Sequence, residues 1–323
     1  MSKAIWVEAV GGPDVLQWSD HEVGRPGPGQ LMIRQHAAGL NYIDVYHRTG
    51  LYPQSLPFVP GVEGAGEIIA IGDGVAGFSI GDRIAYAGPI GGYAEERLID
   101  ADKVVRLPDS IDFDQAAAMM LQGMTAQMLL RSVYPVAAGD TILVHAAAGG
   151  VGLILCQWAK ALGATVIGTV GSKAKAALAA AHGCDHPIIY TKQDFVAEVA
   201  RITGGSKLSV VYDSVGRDTF LKSLDCLRPR GLMVSFGQAS GPIEPLNLGL
   251  LAQKGSLFVT RPTLFTYIAT NSELQASADE LFDIVASGKV KIEVKQRFAL
   301  RQASEAHRAL ENRETSGSTI LTI

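Results

Sequence analysis

The sequence predicts an α/β protein in which a doubly wound parallel sheet is joined to a β-rich domain. Three observations carry this expectation. The first third consists of short apolar runs divided by Gly, Pro and Asp, with no helix of any length before about Asp112. From about Thr141 to Thr263, unbroken apolar runs alternate with helical stretches, the pattern of a parallel sheet covered on both faces. A helix–strand–helix–strand tail follows, and its closing strand needs an existing sheet to join.

In the first part LMIRQ, GEIIAIG and DRIAYAG read as strands, with PGPG (Pro26 to Gly29) and GDG (Gly72 to Gly74) as turns. Asp112 and Gln115 form a capping pair ahead of AAAMML. In the second part ILVH is a strand and GLILCQWAKALG a helix, with a buried stripe of Val151, Ile154, Leu155, Trp158 and Leu162. TVIGTV, PIIY, LSVVYD, GLMVSFG and SLFVT are further strands, with KAKAALAAAHG among the helices between them. In the tail, ELQASADELFDIVASG is a helix with Ser272 as its cap and Gly288 as its stop. Strand IEVKQRFAL, helix ASEAHRALENR and strand STILTI complete the chain.

Bulk properties narrow the function. The 323 residues suffice for about two domains, and 47% hydrophobic with 19% charged residues is an ordinary globular composition. A net charge of −4 gives no support to a nucleic-acid or anionic-membrane surface. Cys156, Cys184 and Cys226 form no CxxC pair, which argues against a disulfide framework or zinc knuckle and for a reducing compartment. The opening MSKAIWVEAV has Glu8 inside its one apolar run and does not read as a secretory signal, so a cytoplasmic location is expected. Thr141 to Ala159 carries no charge, but its central glycines and preceding β-branched residues suit strand, turn and buried helix better than a membrane span.

The stretch HAAAGGVG, His145 to Gly152, lies between the first strand of the doubly wound pattern and its helix. A glycine turn there lets backbone approach a pyrophosphate and points the helix N–H groups at it. Against G-x-G-x-x-G, Ala147 replaces the first glycine, while Gly149 and Gly152 keep their places. A glycine-rich helix entry also arises for packing alone; its position in the fold pattern favours a dinucleotide. The second strand ends in Gly171-Ser172 with no carboxylate to bind ribose hydroxyls, and Lys173 and Lys175 follow. A hydroxyl with nearby cations suits a 2′-phosphate, so NADPH is the expected cofactor.

Gly139 to Lys160, GDTILVHAAAGGVGLILCQWAK, resembles the signature segment of the quinone oxidoreductase and zeta-crystallin branch of the medium-chain dehydrogenase/reductase superfamily. LNYIDVYHRTGLYP, PGVEGAGEI, VVYDSVGRDT, LMVSFGQASG and KGSLFVTRP extend the likeness along the chain, which is most like bacterial NADPH:quinone oxidoreductases. The resemblance implies a GroES-like β-rich catalytic domain plus a Rossmann doubly wound domain. Residues 1–122 would begin the catalytic domain, 123–264 form the Rossmann domain, and 265–323 return to the first. Gly149, Gly150, Val151 and Gly152 would meet the pyrophosphate, and Ser172, Lys175 and Tyr190 the 2′-phosphate and adenosine. Ser214, Phe236 and Gln238 would line the ribose and nicotinamide, Thr125 the nicotinamide side or the cleft wall, and Arg313 would reach a phosphate. Tyr190 as a surface aromatic and Arg313 as an ordinary helix-end cation are the plain alternatives.

Zinc relatives in the superfamily carry a Cys three residues before an Asp and a His before a Glu; here Asn41 precedes Asp44 and Val62 precedes Glu63. His36, His47 and His145 show no ligand spacing, and His145 reads as a structural histidine. A zinc-free reductase is expected, its substrate a strong hydride acceptor such as a quinone. The resemblance puts Asn41, Asp44 and Tyr46 in the family's cleft, with Asn41 bonding a quinone oxygen, Tyr46 donating a bond or proton, and Tyr52 on the wall. A turn capped by Asn41, a helix containing Val45–Arg48 capped by Asp44, and packing by the tyrosines remain open at this level. So do NADPH-dependent reduction of α,β-unsaturated aldehydes or ketones, and a non-enzymatic NADPH-binding structural or RNA-binding role. A homodimer through the sheet edge at Ser256 to Thr260 is expected.

Overall fold

A computed structural model describes residues 2–323 and divides the chain into two units. One comprises the residues up to Met124 together with Ile268–Ala286 and Ile292–Ile323; the other comprises Thr125–Tyr267 and Ser287–Lys291.

The first unit opens on an antiparallel pair, β1 (Ser2–Val7) and β2 (Leu16–His21). Its main sheet contains β3 (Gln30–Leu40), β4 (Glu63–Ile71), β5 (Arg83–Ala87), β6 (Glu96–Asp100) and β7 (Val105–Arg106). Short helices α1 (Tyr42–Arg48) and α2 (Phe113–Ala117) flank it, and Asp112 caps α2 by accepting from the Gln115 N–H. A further helix, α3 (Met120–Gln127), carries the chain across the boundary between the units.

The second unit is a six-stranded all-parallel sheet of β8 (Thr141–Val144), β9 (Thr165–Val170), β10 (His186–Ile189), β11 (Leu208–Asp213), β12 (Leu227–Ser235) and β13 (Phe258–Thr260). Helices α4 (Gly150–Ala161), α5 (Lys173–Ala181), α6 (Phe195–Ile202), α7 (Phe220–Ser223), α8 (Gly249–Gln253) and α9 (Leu264–Tyr267) follow the strands. The order β10-β9-β8-β11-β12-β13 reverses at β8/β11, the switch point where a doubly wound sheet binds its ligand. Leu143, Ile167, Val211 and Met233 pack one face against Phe195, Val199 and Phe220, which is why these strands read as unbroken apolar runs.

The tail forms α10 (Asn271–Ala286), β14 (Val294–Ala299), α11 (Ala303–Glu311) and β15 (Ser318–Thr322). β15 pairs antiparallel with β3 and parallel with β14, so the closing strand joins the N-terminal sheet. Three details differ from the sequence expectation. α1, the helix through Val45–Arg48, starts already at Tyr42 and has Asn41 rather than Asp44 as its N-cap. α10 is capped by Thr270 rather than Ser272: Thr270 Oγ1 accepts from the Glu273 N–H at 3.3 Å, and Glu273 Oε2 accepts from the Thr270 N–H at 3.0 Å. The strand in IEVKQRFAL starts only at Val294.

Candidate active site

The glycine turn lies at the carboxyl end of β8. Ala146 takes φ 53, and Gly149 is the N-cap of α4 with no side-chain cap over the first-turn N–H groups. A Cβ on Gly152 would collide with Ala146 O and lie 2.9 Å from Ala147 Cα, so only glycine permits this approach of helix to turn. The Ala147 methyl is accommodated because β9 carries Gly168 opposite it, where a Cβ would stand 2.6 Å from Ala147 Cβ. A glycine inside the run TVIGTV was the available signal for this contact.

The turn is braced from below. His145 Nδ1 lies 2.8 Å from Thr169 Oγ1 and Nε2 2.8 Å from Ser223 Oγ. Ser223 donates to Thr219 O, so Nε2 carries the imidazole proton and Nδ1 accepts from Thr169. Burial holds His145 below the usual histidine range, and it is neutral.

Around this turn the unit gathers most of the residues expected to hold a dinucleotide. Gly150, Val151 and Gly152 form the first turn of α4. Ser172 caps α5, its Oγ accepting from the Lys175 N–H at 3.3 Å. Tyr190 is 44% exposed and leans over the end of β9, its hydroxyl 3.0 Å from where a Gly171 Cβ would stand. Ser214 is brought to Phe236 and Gln238 by backbone contact: the Ala239 N–H donates to Ser214 O, and the Phe236 N–H to Asp213 O. Asp213 was not anticipated. Fully buried, it accepts from the Val215 and Gly216 N–H groups and the Thr219 hydroxyl, and so sets the Ser214–Thr219 loop. Thr125 lies on α3 in this unit, whereas Arg313 belongs to the first unit, at φ 61 just past α11.

The acceptor-side candidates are on the first unit. Asn41 caps α1, and Asp44 Oδ2 accepts its N–H at 2.9 Å, half of a capping box. Asn41 Nδ2 donates to Glu63 Oε2 at 2.7 Å, and its Oδ1 accepts from Gln122 Nε2 at 3.0 Å. Glu63 Oε1 accepts from the Leu121 N–H at 2.8 Å, and Ser318 lies 2.7 Å from Gln122 Oε1. Burial pushes Glu63 up to about 8 against the bonds from Asn41 and Leu121 that favour its charge. Burial likewise pushes Asp44 up to about 7, opposed by the Asn41 N–H, the Tyr93 hydroxyl and the Val62 N–H.

A donor chain ends on Asp44. Arg48, held by Glu311 at 2.8 and 2.9 Å, can only donate to His307 Nδ1 at 3.2 Å. His307 Nε2 then faces the Tyr93 hydroxyl at 3.3 Å, and Tyr93 donates to Asp44 Oδ2 at 2.9 Å. Burial and Arg48 hold His307 down to about 3. Tyr46, 8% exposed, packs edge-on against Tyr52 with ring centroids 5.1 Å apart. Sequence reasoning did not identify Gln122, Ser318, Tyr93, His307 or Arg48, because no local pattern links them to Asn41.

Two domain families match this chain: the alcohol dehydrogenase GroES-like domain over residues 27–109, and the zinc-binding dehydrogenase domain over 150–283. A quinone oxidoreductase of Pseudomonas aeruginosa is 54% identical, the match covering 99% of each chain. A 2-haloacrylate reductase of a Burkholderia species is 45% identical over 99% of each. The crystal structure of Escherichia coli quinone oxidoreductase complexed with NADPH superposes with a TM-score of 0.98 at 48% identity, covering 99% of this chain and 100% of that one. The zinc of the family name does not fit the residues at the two expected ligand positions. Asn41 is engaged at both ends of its amide, and Val62 is a buried aliphatic side chain with no donor atom. With both domains matched and half the residues shared with a full-length relative, the chain belongs to the quinone oxidoreductase family of the medium-chain dehydrogenase/reductase superfamily.

Proposed function

We propose that the chain reduces quinones with NADPH and without zinc. The observation that carries this is the turn at Gly149–Gly152. It is too tight for a side chain at Gly152, stands at the switch point, and is followed at the end of β9 by Ser172 and Lys175 where an acid would select NADH. Gly149, Gly150, Val151 and Gly152 hold the pyrophosphate; Ser172, Lys175 and Tyr190 hold the 2′-phosphate and adenosine. Ser214, Phe236, Gln238 and Thr125 position the ribose and nicotinamide, and Arg313 meets a phosphate. NADPH, when bound, supplies the hydride.

Asn41 offers an amide hydrogen to a quinone oxygen, where negative charge grows as reduction proceeds. Tyr46 donates a hydrogen bond or a proton, Tyr52 walls the site, and Asp44 fixes the Asn41 backbone. The test is NADPH oxidation with a panel of quinones and α,β-unsaturated carbonyl compounds. Quinones are expected to turn over faster; unsaturated carbonyls at equal or higher kcat/KM would overturn the assignment. The 45% identity to a 2-haloacrylate reductase favours that second reading.

The chain forms a homodimer through β13. Among the described residues that strand pairs only with β12, and Phe258 and Val259 are 60% and 37% exposed, an apolar sheet edge of the kind that recruits a partner strand. A monomer by light scattering at micromolar concentration would contradict this. A cytoplasmic location accords with three unpaired cysteines. Among the described residues no helix is long and apolar enough to cross a membrane.

A further inference from the structure

The cluster around Asn41 has two complete hydrogen-bonding arrangements on one set of atoms. Asn41, Glu63, Gln122 and Ser318 are 7%, 0%, 6% and 2% exposed, so water cannot make up for a missing bond. With Glu63 ionised, donation runs from Gln122 Nε2 to Asn41 Oδ1 and from Asn41 Nδ2 to Glu63 Oε2. The single Ser318 hydrogen then has two acceptors in reach, Gln122 Oε1 at 2.7 Å and Ala118 O at 3.0 Å, and can satisfy only one.

With Glu63 protonated, every side-chain bond from Glu63 through Asn41 and Gln122 to Ser318 reverses and none is lost. Oε1 must remain the acceptor of the Leu121 N–H, so the proton sits on Oε2 and points at Asn41. Asn41 turns its oxygen to Glu63 and its nitrogen to Gln122, and Gln122 turns its nitrogen to Ser318. Ser318 now accepts from Gln122 and donates to Ala118 O, so both of its neighbours are satisfied. Amide oxygen and nitrogen are alike in size, so the two arrangements share the same heavy-atom distances.

We infer that Glu63 is a positioning residue whose protonation reverses the Asn41 and Gln122 amides together, so that Glu63 sets the polarity Asn41 presents to the acceptor. This rests on the reading of Asn41 as the group that meets the quinone oxygen. Several groups face Glu63: Asn41 and Asp44 from α1, and the Met120 and Leu121 amides from α3. The hydroxyls of Tyr86 on β5 and Tyr93 also feel its charge. Asp44 is the charged neighbour acting on it, and like charge favours the protonated form. Negative charge grows on a quinone oxygen as hydride arrives, so an ionised Glu63 in direct contact with Asn41 opposes the step and a neutral one does not. The reversal puts the Asn41 nitrogen on its Gln122 side, where its second hydrogen meets the quinone oxygen, so the protonated arrangement is the faster one.

Infrared difference spectroscopy of the full chain with NADPH bound tests this without turnover. A protonated-carboxyl C=O band should be present below about pH 8 and lost above it. Glu63→Gln should lack this band, while the buried Asp44, pushed up to about 7, keeps its own band, lost at lower pH, in both proteins. The amide introduced there must accept from Leu121 and so donate to Asn41, which freezes the reversed arrangement. Ser318→Ala removes no charge and lies two hydrogen bonds from Glu63, yet it costs the protonated arrangement two bonds and the ionised one a single bond. Its band should therefore titrate lower by about one unit, the effect of one buried hydrogen bond.

In turnover, wild-type kcat/KM for a quinone should fall about tenfold per pH unit above the midpoint. In Glu63→Gln it should stay within about twofold over the same range, with NADPH affinity unchanged in both. The absence of any band that Glu63→Gln removes, or a Ser318→Ala midpoint equal to wild type, would overturn the reversal. A band that titrates as expected while kcat/KM ignores it in wild type would overturn the positioning role. A wild-type chain that reduces no quinone at any pH would remove the functional reading and leave the infrared result to stand on its own.

Discussion

The glycine turn of the parallel-sheet unit and the Asn41 cluster of the other unit are held in opposite ways. The turn is defined by missing atoms: at Gly152 backbone meets backbone, and at Gly168 the absent Cβ leaves room for the Ala147 methyl. The cluster is defined by side chains that must all be present, since Asn41, Glu63, Gln122 and Ser318 are buried and satisfy one another. The first should therefore be intolerant of additions and the second of deletions. On the proposed function the first acts at the nucleotide and the second at the acceptor, so damage to the two should separate in different measurements.

The largest expected effect is an addition to the turn. Gly152→Ala forces a methyl group against Ala146 O and Ala147 Cα, and NADPH Kd should rise by more than about a hundredfold. Gly149→Ala meets only Ala146 O at 3.3 Å and should cost less than about tenfold. Equal losses in fluorescence titrations of the two variants would break the steric account.

A smaller effect concerns the side chains at the end of β9. NADPH should be used at least about tenfold better than NADH in kcat/KM, since a paired phosphate contact contributes more than about 1.4 kcal/mol. Lys175→Ala should remove most of that preference. Equal kcat/KM for the two nucleotides in the wild type would end the 2′-phosphate reading.

The effect expected to be smallest on turnover is a deletion beside the polar cluster, read in stability. Tyr93→Phe takes one donor from Asp44 and leaves its charge less satisfied, at a cost of about 1–3 kcal/mol in urea unfolding. NADPH affinity should not move. A loss under about 0.5 kcal/mol would mean that the Arg48–His307–Tyr93 chain does not support Asp44.

The same contrast explains what was legible in the sequence. Backbone sterics at HAAAGGVG act within eight residues, so Gly149, Gly152 and the strand before them could be read directly, as could the missing acid after TVIGTV. The polar cluster is non-local: Asn41 meets Glu63 22 residues on and Gln122 81 residues on, and Gln122 meets Ser318 196 residues further. Each of those residues is ordinary where it stands in the chain. His145 could be read as structural from its place at a strand end, but its partners Thr169 and Ser223 come from another strand and a helix. The α10 cap was misplaced by two residues because Ser272 and Thr270 are both competent caps, and only Thr270 has an acid three residues on.

The division of labour is tested most directly by Asn41→Ala, followed by quinone kcat/KM, NADPH Kd and melting temperature on the same preparation. The account predicts a fall in kcat/KM of about ten- to a hundredfold, the worth of one or two hydrogen bonds to developing charge. NADPH Kd should stay within about threefold, because every residue of the turn is untouched. A folded variant with wild-type kcat/KM would contradict the account, and would leave placement of the nucleotide as the whole of catalysis.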